Sequence, residues 1–340
     1  MTLTREAIKE QYKALNAGPA WIDRSYRALI EVTGKDRVAW AHNLTTNQVK
    51  TLSRDEGNYA FVLNVQGRIL FDLNLVVRAE SIWIDLDRRF QQSALAHFNK
   101  YIIMEDVRLT DRSSEFVRVA LAGRNAKALL AEFGAGHAAA MPAVSMTTIA
   151  HAQTKIDVLR DDFCGIFAVD LFVPVSKASA FEAEIKGVHR PVPVISVDDE
   201  VVQIRRIEGE IPWPGAEITD DVLSAETRQL ERAVSFQKGC YLGQEIVERM
   251  RARKVVARLL SGLKVSGDVV PPEGAEIVAD AGAVVGKITS ACHSVALNAP
   301  IALAYIKTSA AAPGTALQVR WSASNAAAVV VALPFIQCLS

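Results

Sequence analysis

Past Arg258 the chain changes texture, and no other feature constrains its fold as strongly. Leu259 to Val265, Ala283 to Ile288, Ile301 to Ile306 and Leu317 to Trp321 are short apolar segments, broken by turns such as Pro271-Pro272-Glu273-Gly274. Short strands at such intervals predict a small β-barrel, in which closure leaves no unpaired edge. The boundary of this unit falls near residues 255 to 260. The longest apolar run, Ala326 to Leu333, is too short to span a bilayer and reads as a buried strand.

Residues 20 to 210 follow a different pattern, in which strands and helices alternate. Leu3 to Leu15 has helical spacing and is stopped by Gly18-Pro19; Tyr26 to Val32 reads as a strand, followed by a short helix carrying Val38, Trp40, Ala41 and Leu44. Gly57 to Val65, Arg68 to Val77 and Ser81 to Leu86 suggest an antiparallel meander, and Phe90 to Met104 an amphipathic helix with Leu95, Phe98, Tyr101 and Ile102 on its packed side. Two strand-to-helix pairs follow: Glu115 to Leu121 with Asn125 to Phe133, then Ile156 to Leu159 and Ile166 to Val173 with Ser176 to Lys186. The class is α+β, and 340 residues exceed one hydrophobic core, so two or three domains are expected.

Several functions lack a basis in the residues. Lys plus Arg and Asp plus Glu are 38 each, so no whole-chain field draws in nucleic acid, and an anionic ligand must be held locally. Cys164, Cys240, Cys292 and Cys338 lie far apart with no Cys-x-x-Cys pair, which fits a reduced compartment. His42, His97, His137, His151, His189 and His293 show no pair at ligand spacing, so no metal centre is expected. Arg5, Glu6, Lys9 and Glu10 interrupt any signal-peptide core, and a cytoplasmic protein without membrane segments is expected. Gly134-Ala135-Gly136-His137-Ala138-Ala139 follows a helix instead of a strand, which removes the dinucleotide-cradle reading.

Three segments carry candidate chemistry. In Lys238-Gly239-Cys240-Tyr241-Leu242-Gly243-Gln244-Glu245, a cation and the start of a helix from about Leu242 would both favour a thiolate at Cys240; a small buried apolar cysteine is the other reading. In Asn64 to Asp72, the carboxylate of Asp72 sits in an apolar strand and needs a partner, unless it faces solvent at an edge. In Arg206 to Glu217, a charged helix ends in a Gly/Pro-rich loop where Trp213 could stack on a flat heterocycle and Glu217 could accept hydrogen bonds from an amino-pyrimidine edge; an ordinary turn with a buried Trp has the same composition.

These segments, together and in this order, resemble the glycine-cleavage T-protein (aminomethyltransferase) superfamily over nearly the whole chain. Within it, Lys238 to Glu245 is similar to the K-G-C-Y-x-G-Q-E signature of YgfZ-type folate-binding proteins. The stretch from Val32 through Asn47 looks like the family's opening strand and helix, and Asn64 to Asp72 like its folate-channel strand. The resemblance implies three domains around a central channel: residues 1–48, 112–140 and 198–256 as an interrupted folate-binding domain, 49–111 and 141–197 as an inserted α/β domain, and 257–340 as the barrel.

The resemblance further implies a tetrahydrofolate-binding protein that assists assembly or repair of iron-sulfur enzymes, including those that thiolate transfer RNA; the balanced net charge gives no reason to expect direct RNA binding, so an effect on transfer RNA would be indirect. Cys240 at the channel mouth, Lys238 as stabiliser of its anion and Asp72 would be the reactive groups. Asp72, Glu217, Trp213, Asn64, Tyr241 and Gln244 would hold the folate. Aminomethyltransferases carry an arginine where this chain has Gln244, no cysteine at Cys240, and a tyrosine at Pro214; their Gly-Trp-Glu-Met-Pro element is missing between Ala20 and Tyr26. These departures disfavour aminomethyl transfer, which stays open beside the accessory role and a folate scaffold without chemistry.

Overall fold

A computed structural model describes residues 3–187, 192–253, 256–280, 282–322 and 324–337; His189 and Cys338 lie outside the described residues. The opening helix runs Arg5–Ala17, with the Thr4 side chain accepting from the Ala7 N–H and Gly18 ending it. The chain then feeds two mainly antiparallel sheets. One is ordered Ile195–Val197, Ala20–Asp23, Phe116–Ala122, Ala168–Pro174, Thr154–Arg160, Met146–His151, with a single parallel pairing at Ala20–Asp23 beside Ile195–Val197. The other is ordered Gly57–Leu63, Ile69–Val77, Ile82–Asp87, Arg27–Thr33, Arg108–Asp111, and its first three strands are the expected meander.

The C-terminal region is a closed six-stranded barrel: Arg258–Val265, Ala299–Lys307, Val284–Ser294, Glu276–Val278, Ala316–Trp321 and Ser324–Val331. Mixed α/β architecture with a terminal barrel is therefore what the sequence pattern indicates. Short strands escaped it, because Ala20–Asp23, Arg108–Asp111 and Ile195–Val197 have three or four residues each, too few for periodicity to register. The helix expected over Phe90 to Met104 covers Gln91–Asn99. Strand pairing groups residues 27–111 in one sheet and 20–23 with 116–197 in the other, so the expected interrupted unit of 1–48, 112–140 and 198–256 draws strands from both.

The largest buried cluster joins all three parts, including Leu29 and Phe61 of one sheet, Phe172 of the other and Leu303 of the barrel. Trp83 and Phe172, with ring centroids 5.3 Å apart, mark the seam between sheets. A buried ladder of alternating charge crosses it: Asp161, Arg24, Asp170, Arg118, Asp85, Arg27, each joined to the next at 2.6 to 3.0 Å. Burial works against ionised Asp85, yet Arg27 and Arg118 hold its pKa below the usual carboxylate range. Such a ladder fixes the mutual placement of the sheets, since removing one member would leave a buried charge uncompensated.

Candidate functional site

A cleft of about 1060 Å³ opens where the Asp199–Glu208 helix, the loop that follows it and the barrel meet. Tyr26, Asp87, Trp213 and Pro214 line both this cleft and a smaller cavity of about 50 Å³ that reaches Asp72. The Tyr26 and Trp213 rings, centroids 5.7 Å apart, stand between the two spaces.

Asp72 reaches this place through strand alternation. Phe71, Leu73 and Leu75 point into the core that also holds Trp40 and Phe98, so Asp72 and Asn74 point the other way, toward the charge ladder. Asp72 is only 7% exposed, which settles its edge-strand alternative. Its Oδ2 accepts from the Tyr59 hydroxyl at 2.7 Å, and its buried Oδ1 has no hydrogen-bond partner among the described residues. Burial raises its pKa above the ordinary 3.8, while the Tyr59 hydrogen bond, Arg27 and Arg232 work in the opposite direction. An acceptor atom left open at the wall of a cavity is an unmet demand for a donor.

The loop over the cleft is shaped by its own hydrogen bonds. Gly215 has φ +80°, and a Cβ there would stand 3.0 Å from Arg89 Nη1, so glycine suits the position twice over. The N–H groups of Ala216, Glu217 and Ile218 all converge on the Trp213 carbonyl. Glu217 does not offer its carboxylate to the cleft as expected. Its Oε2 accepts from Arg206 Nη1 at 2.9 Å and the Trp213 N–H at 3.0 Å, and its Oε1 from Thr289 and Ser290 at 2.7 and 2.6 Å. Four donors saturate both oxygens, and the side chain ties helix, loop and barrel together. Trp213 is half-buried, between Tyr26 and the Arg206 guanidinium 5.3 Å from its ring centroid.

The Lys238 to Glu245 segment sits elsewhere, against the hairpin turn at residues 64–68. Its helix spans Gln244–Arg253. Gly243 has φ +81°, and a Cβ there would lie 2.6 Å from the Asn64 carbonyl oxygen; one on Gly67 would lie 2.7 Å from Ile246 Cβ. The glycine of the motif is thus a close-approach glycine. Asn64 closes the turn by accepting from the Gln66 and Arg68 N–H groups, both at 3.0 Å, and lies outside the Asp72 cavity. Gln244 Oε1 accepts from the Tyr241 N–H at 3.3 Å, while the Tyr241 hydroxyl is buried without a partner among the described residues.

Lys238 corrects the expectation most directly. Its buried ammonium donates to the His42, Thr45 and Asn47 carbonyls, capping the end of the Arg37–Leu44 helix, so its three donors are committed away from the Cys240 sulfur. Burial and Lys50 push its pKa down to about 7, against three acceptors that favour the charged form. Cys240 is exposed and lines neither the cleft nor the Asp72 cavity.

Of the expected residues, the structure brings together Asp72 and Trp213, with Glu217 behind the loop; Cys240, Lys238, Tyr241, Gln244 and Asn64 form a second assembly. Tyr26, Tyr59, Arg27, Arg89 and Arg232 escaped notice. Arg118 in Phe-Val-Arg-Val-Ala and Asp170 in Ala-Val-Asp-Leu-Phe carried the same signal as Asp72, a charge inside an apolar strand, and would have revealed the ladder beneath the site.

Comparison with known proteins bears on this architecture. An aminomethyltransferase of Streptomyces coelicolor is 27% identical, covering 98% of this chain and 91% of its own length; one of Herpetosiphon aurantiacus is 25% identical over the same shares. A putative chloroplastic transferase of Arabidopsis thaliana is 26% identical over 91% of this chain and 70% of its own. The crystal structure of glycine cleavage system aminomethyltransferase T from Bartonella henselae superposes with a TM-score of 0.87 at 20% identity, covering 98% of this chain and 91% of the other. The family description "GCVT N-terminal domain" matches residues 2–238, and "Glycine cleavage T-protein C-terminal barrel domain" matches residues 258–337. With both of its parts present in order and the barrel closed as that description requires, the chain belongs to the glycine cleavage T-protein family.

Proposed function

We propose that this protein binds tetrahydrofolate in the cleft, with the pterin end toward Asp72, and serves as an accessory factor for assembly or repair of iron-sulfur enzymes, Cys240 being the residue that meets the client. The observation that carries the folate reading is the unpartnered, buried Asp72 Oδ1 at the wall of a cavity reached past Tyr26 and Trp213. An aminopyrimidine edge carries the N–H donors that this oxygen lacks, and two aromatic rings suit a flat heterocycle. Bound tetrahydrofolate supplies a one-carbon carrier with nucleophilic nitrogens. Asp72, with one oxygen fixed by Tyr59, orients that group and holds or yields a proton at its free oxygen.

The accessory role draws on the resemblance of the Lys238 to Glu245 motif and on the exposure of Cys240, which leaves the thiol open to another protein. Cys240 lines neither cavity, which supports a thiol that acts on a partner and not on the cofactor. A second reading, aminomethyl transfer, is favoured by the names of the full-length relatives; formation of product from an aminomethylated lipoyl carrier would establish it.

Titration of the full chain with 5-formyltetrahydrofolate, followed by Trp fluorescence, tests the cleft. Asp72→Asn should weaken binding roughly 10- to 100-fold, the worth of a hydrogen bond to a charged group. Equal affinity in both proteins would refute the assignment. The accessory role is tested by methylthiolated nucleosides in the transfer RNA of a host lacking its own copy. Wild type should restore them and Cys240→Ser should not; no restoration by either, with both expressed, would sink that role.

A further inference from the structure

Three arginines and three aspartates line the Asp72 cavity: Arg24, Arg27 and Arg232, with Asp72, Asp87 and Asp161. Most of these charges are answered at close range. Arg24 pairs with Asp161 and Asp170, Arg27 with Asp85, and Asp87 with Arg89. The Tyr26 hydroxyl on that side accepts from Arg24. Of the six, Asp72 and Arg232 alone have no ion-pair partner among the described residues; the first is buried, the second exposed.

Tyr59 stands between these two. Its strand pairs with that of Asp72 so that Phe61 faces Asp72 and Tyr59 lies on the diagonal, where its hydroxyl meets Oδ2. The Arg232 guanidinium lies over the Tyr59 ring, 4.2 Å from its centroid, and Phe61 meets the same ring edge-on at 5.5 Å. The backbones are tied as well, since Asn47 Nδ2 donates to the Tyr59 and Arg232 carbonyls, both at 2.9 Å. Burial and the neighbouring Asp72 push the Tyr59 hydroxyl well above its usual range, so it remains a donor to Oδ2 and leaves Oδ1 open.

Resting on the folate reading above, we infer that Arg232 is a positioning residue of this site: it fixes the Tyr59 ring and supplies the countercharge for Asp72, so that Oδ1 meets the ligand's N–H groups as a carboxylate oxygen. A guanidinium carries donors alone and cannot itself recognise a donor edge, so Arg232 acts through its neighbours. The charge on Asp72 matters because a hydrogen bond to an ionised acceptor is about twice as strong as one between neutral groups. Burial favours the neutral acid, and the Tyr59 hydrogen bond, Arg27 and Arg232 oppose it. Arg27 is already bound through two nitrogens to the Asp85 carboxylate, which leaves Arg232 as the uncommitted cation of the wall.

The test is a pair of pH titrations on the full chain. Carbon-13 NMR of aspartate-labelled protein follows the Asp72 carboxyl without ligand, its signal assigned by its absence in Asp72→Asn; Trp fluorescence follows 5-formyltetrahydrofolate binding across the same range. In Arg232→Met the Asp72 midpoint should rise by on the order of one pH unit, and the pH below which binding falls away should rise with it. Arg232→Lys, which restores the charge, should return both most of the way. A merely structural role would weaken binding by one factor at every pH and leave the midpoint in place. That result, a midpoint shift that binding does not follow, or Arg232→Lys behaving as Arg232→Met, would overturn the inference and leave the folate reading standing. Absence of 5-formyltetrahydrofolate binding in wild type would bring down the folate reading and the positioning role together, whatever the carboxyl titration shows.

Discussion

The Asp72 cavity and the Cys240 turn are both built on the strands and turn of one hairpin, yet they satisfy their polar atoms in opposite ways. Around Cys240 nearly every feature of the motif serves the fold, since Lys238 caps a helix, Gly243 admits the hairpin, and Gln244 holds the Tyr241 N–H. Among the described residues two groups are left over there, the exposed thiol and the Tyr241 hydroxyl, which is buried away from both cavities. Around Asp72 the surroundings are just as ordered, but the oxygen left over stands at a cavity wall. A leftover group in solvent costs nothing and points outward to a partner, whereas one in a cavity carries a standing free-energy cost that a ligand can remove.

Gly243→Ala should break this comparison hardest. It forces a side chain into φ +81° and against the Asn64 carbonyl, and should cost about 3 kcal/mol in urea unfolding. A cost near zero would mean that the hairpin and the turn move independently. Next comes Lys238→Met, which leaves the His42, Thr45 and Asn47 carbonyls short of donors and should cost about 2 kcal/mol. A sharper readout accompanies it: burial, Lys238 and Lys50 hold the His42 imidazole at about pKa 4, and NMR should find that value higher in the variant. An unchanged His42 would place the ammonium elsewhere, back within reach of the thiol.

This contrast explains what could be read in the sequence. The barrel, the meander and the long helices were legible because periodicity over six or more residues reports which face is buried. The close approach of Gly243 to Asn64 was not, since nearly 180 residues separate them and glycine announces freedom without naming what needs it. Asp72 was legible as a charge in an apolar strand, and Trp213 as an aromatic in a Gly/Pro loop. Glu217 looked like a ligand because sequence shows a carboxylate but not the four donors that converge on it from a helix, a loop and a barrel strand. Lys238 misled for the same reason: three carbonyls carry no side-chain signature.

The pH dependence of Asp72 sharpens the other half of the comparison. Its folded-state pKa is raised above 3.8, so from about that pH upward the folded chain binds more protons than the unfolded one, and stability contributed by this group falls as pH rises toward neutrality. Asp72→Asn removes that loss. The variant should therefore gain on wild type between pH 4 and pH 7 in urea unfolding. The opposite slope would show that Arg27 and Arg232 outweigh burial, leaving an ionised carboxylate in the cavity.

The smallest expected effect discriminates most finely. Cys240→Ser changes an exposed atom on which no part of the fold leans, so unfolding free energy should stay within about 0.5 kcal/mol of wild type and folate affinity should not move. If the thiol nonetheless proves necessary in the host assay, its role can be neither packing nor cofactor binding, and the remaining place for it is contact with another protein. A measurable loss of folate affinity would instead couple the turn to the cavity through the hairpin that both share. The route for that coupling is covalent and short: Asp72 lies in the strand that leaves the turn, and Gly243 packs on the residue where the turn begins. The two assemblies would then be one site read from opposite ends, and the exposed sulfur a reporter of whether the cleft is filled.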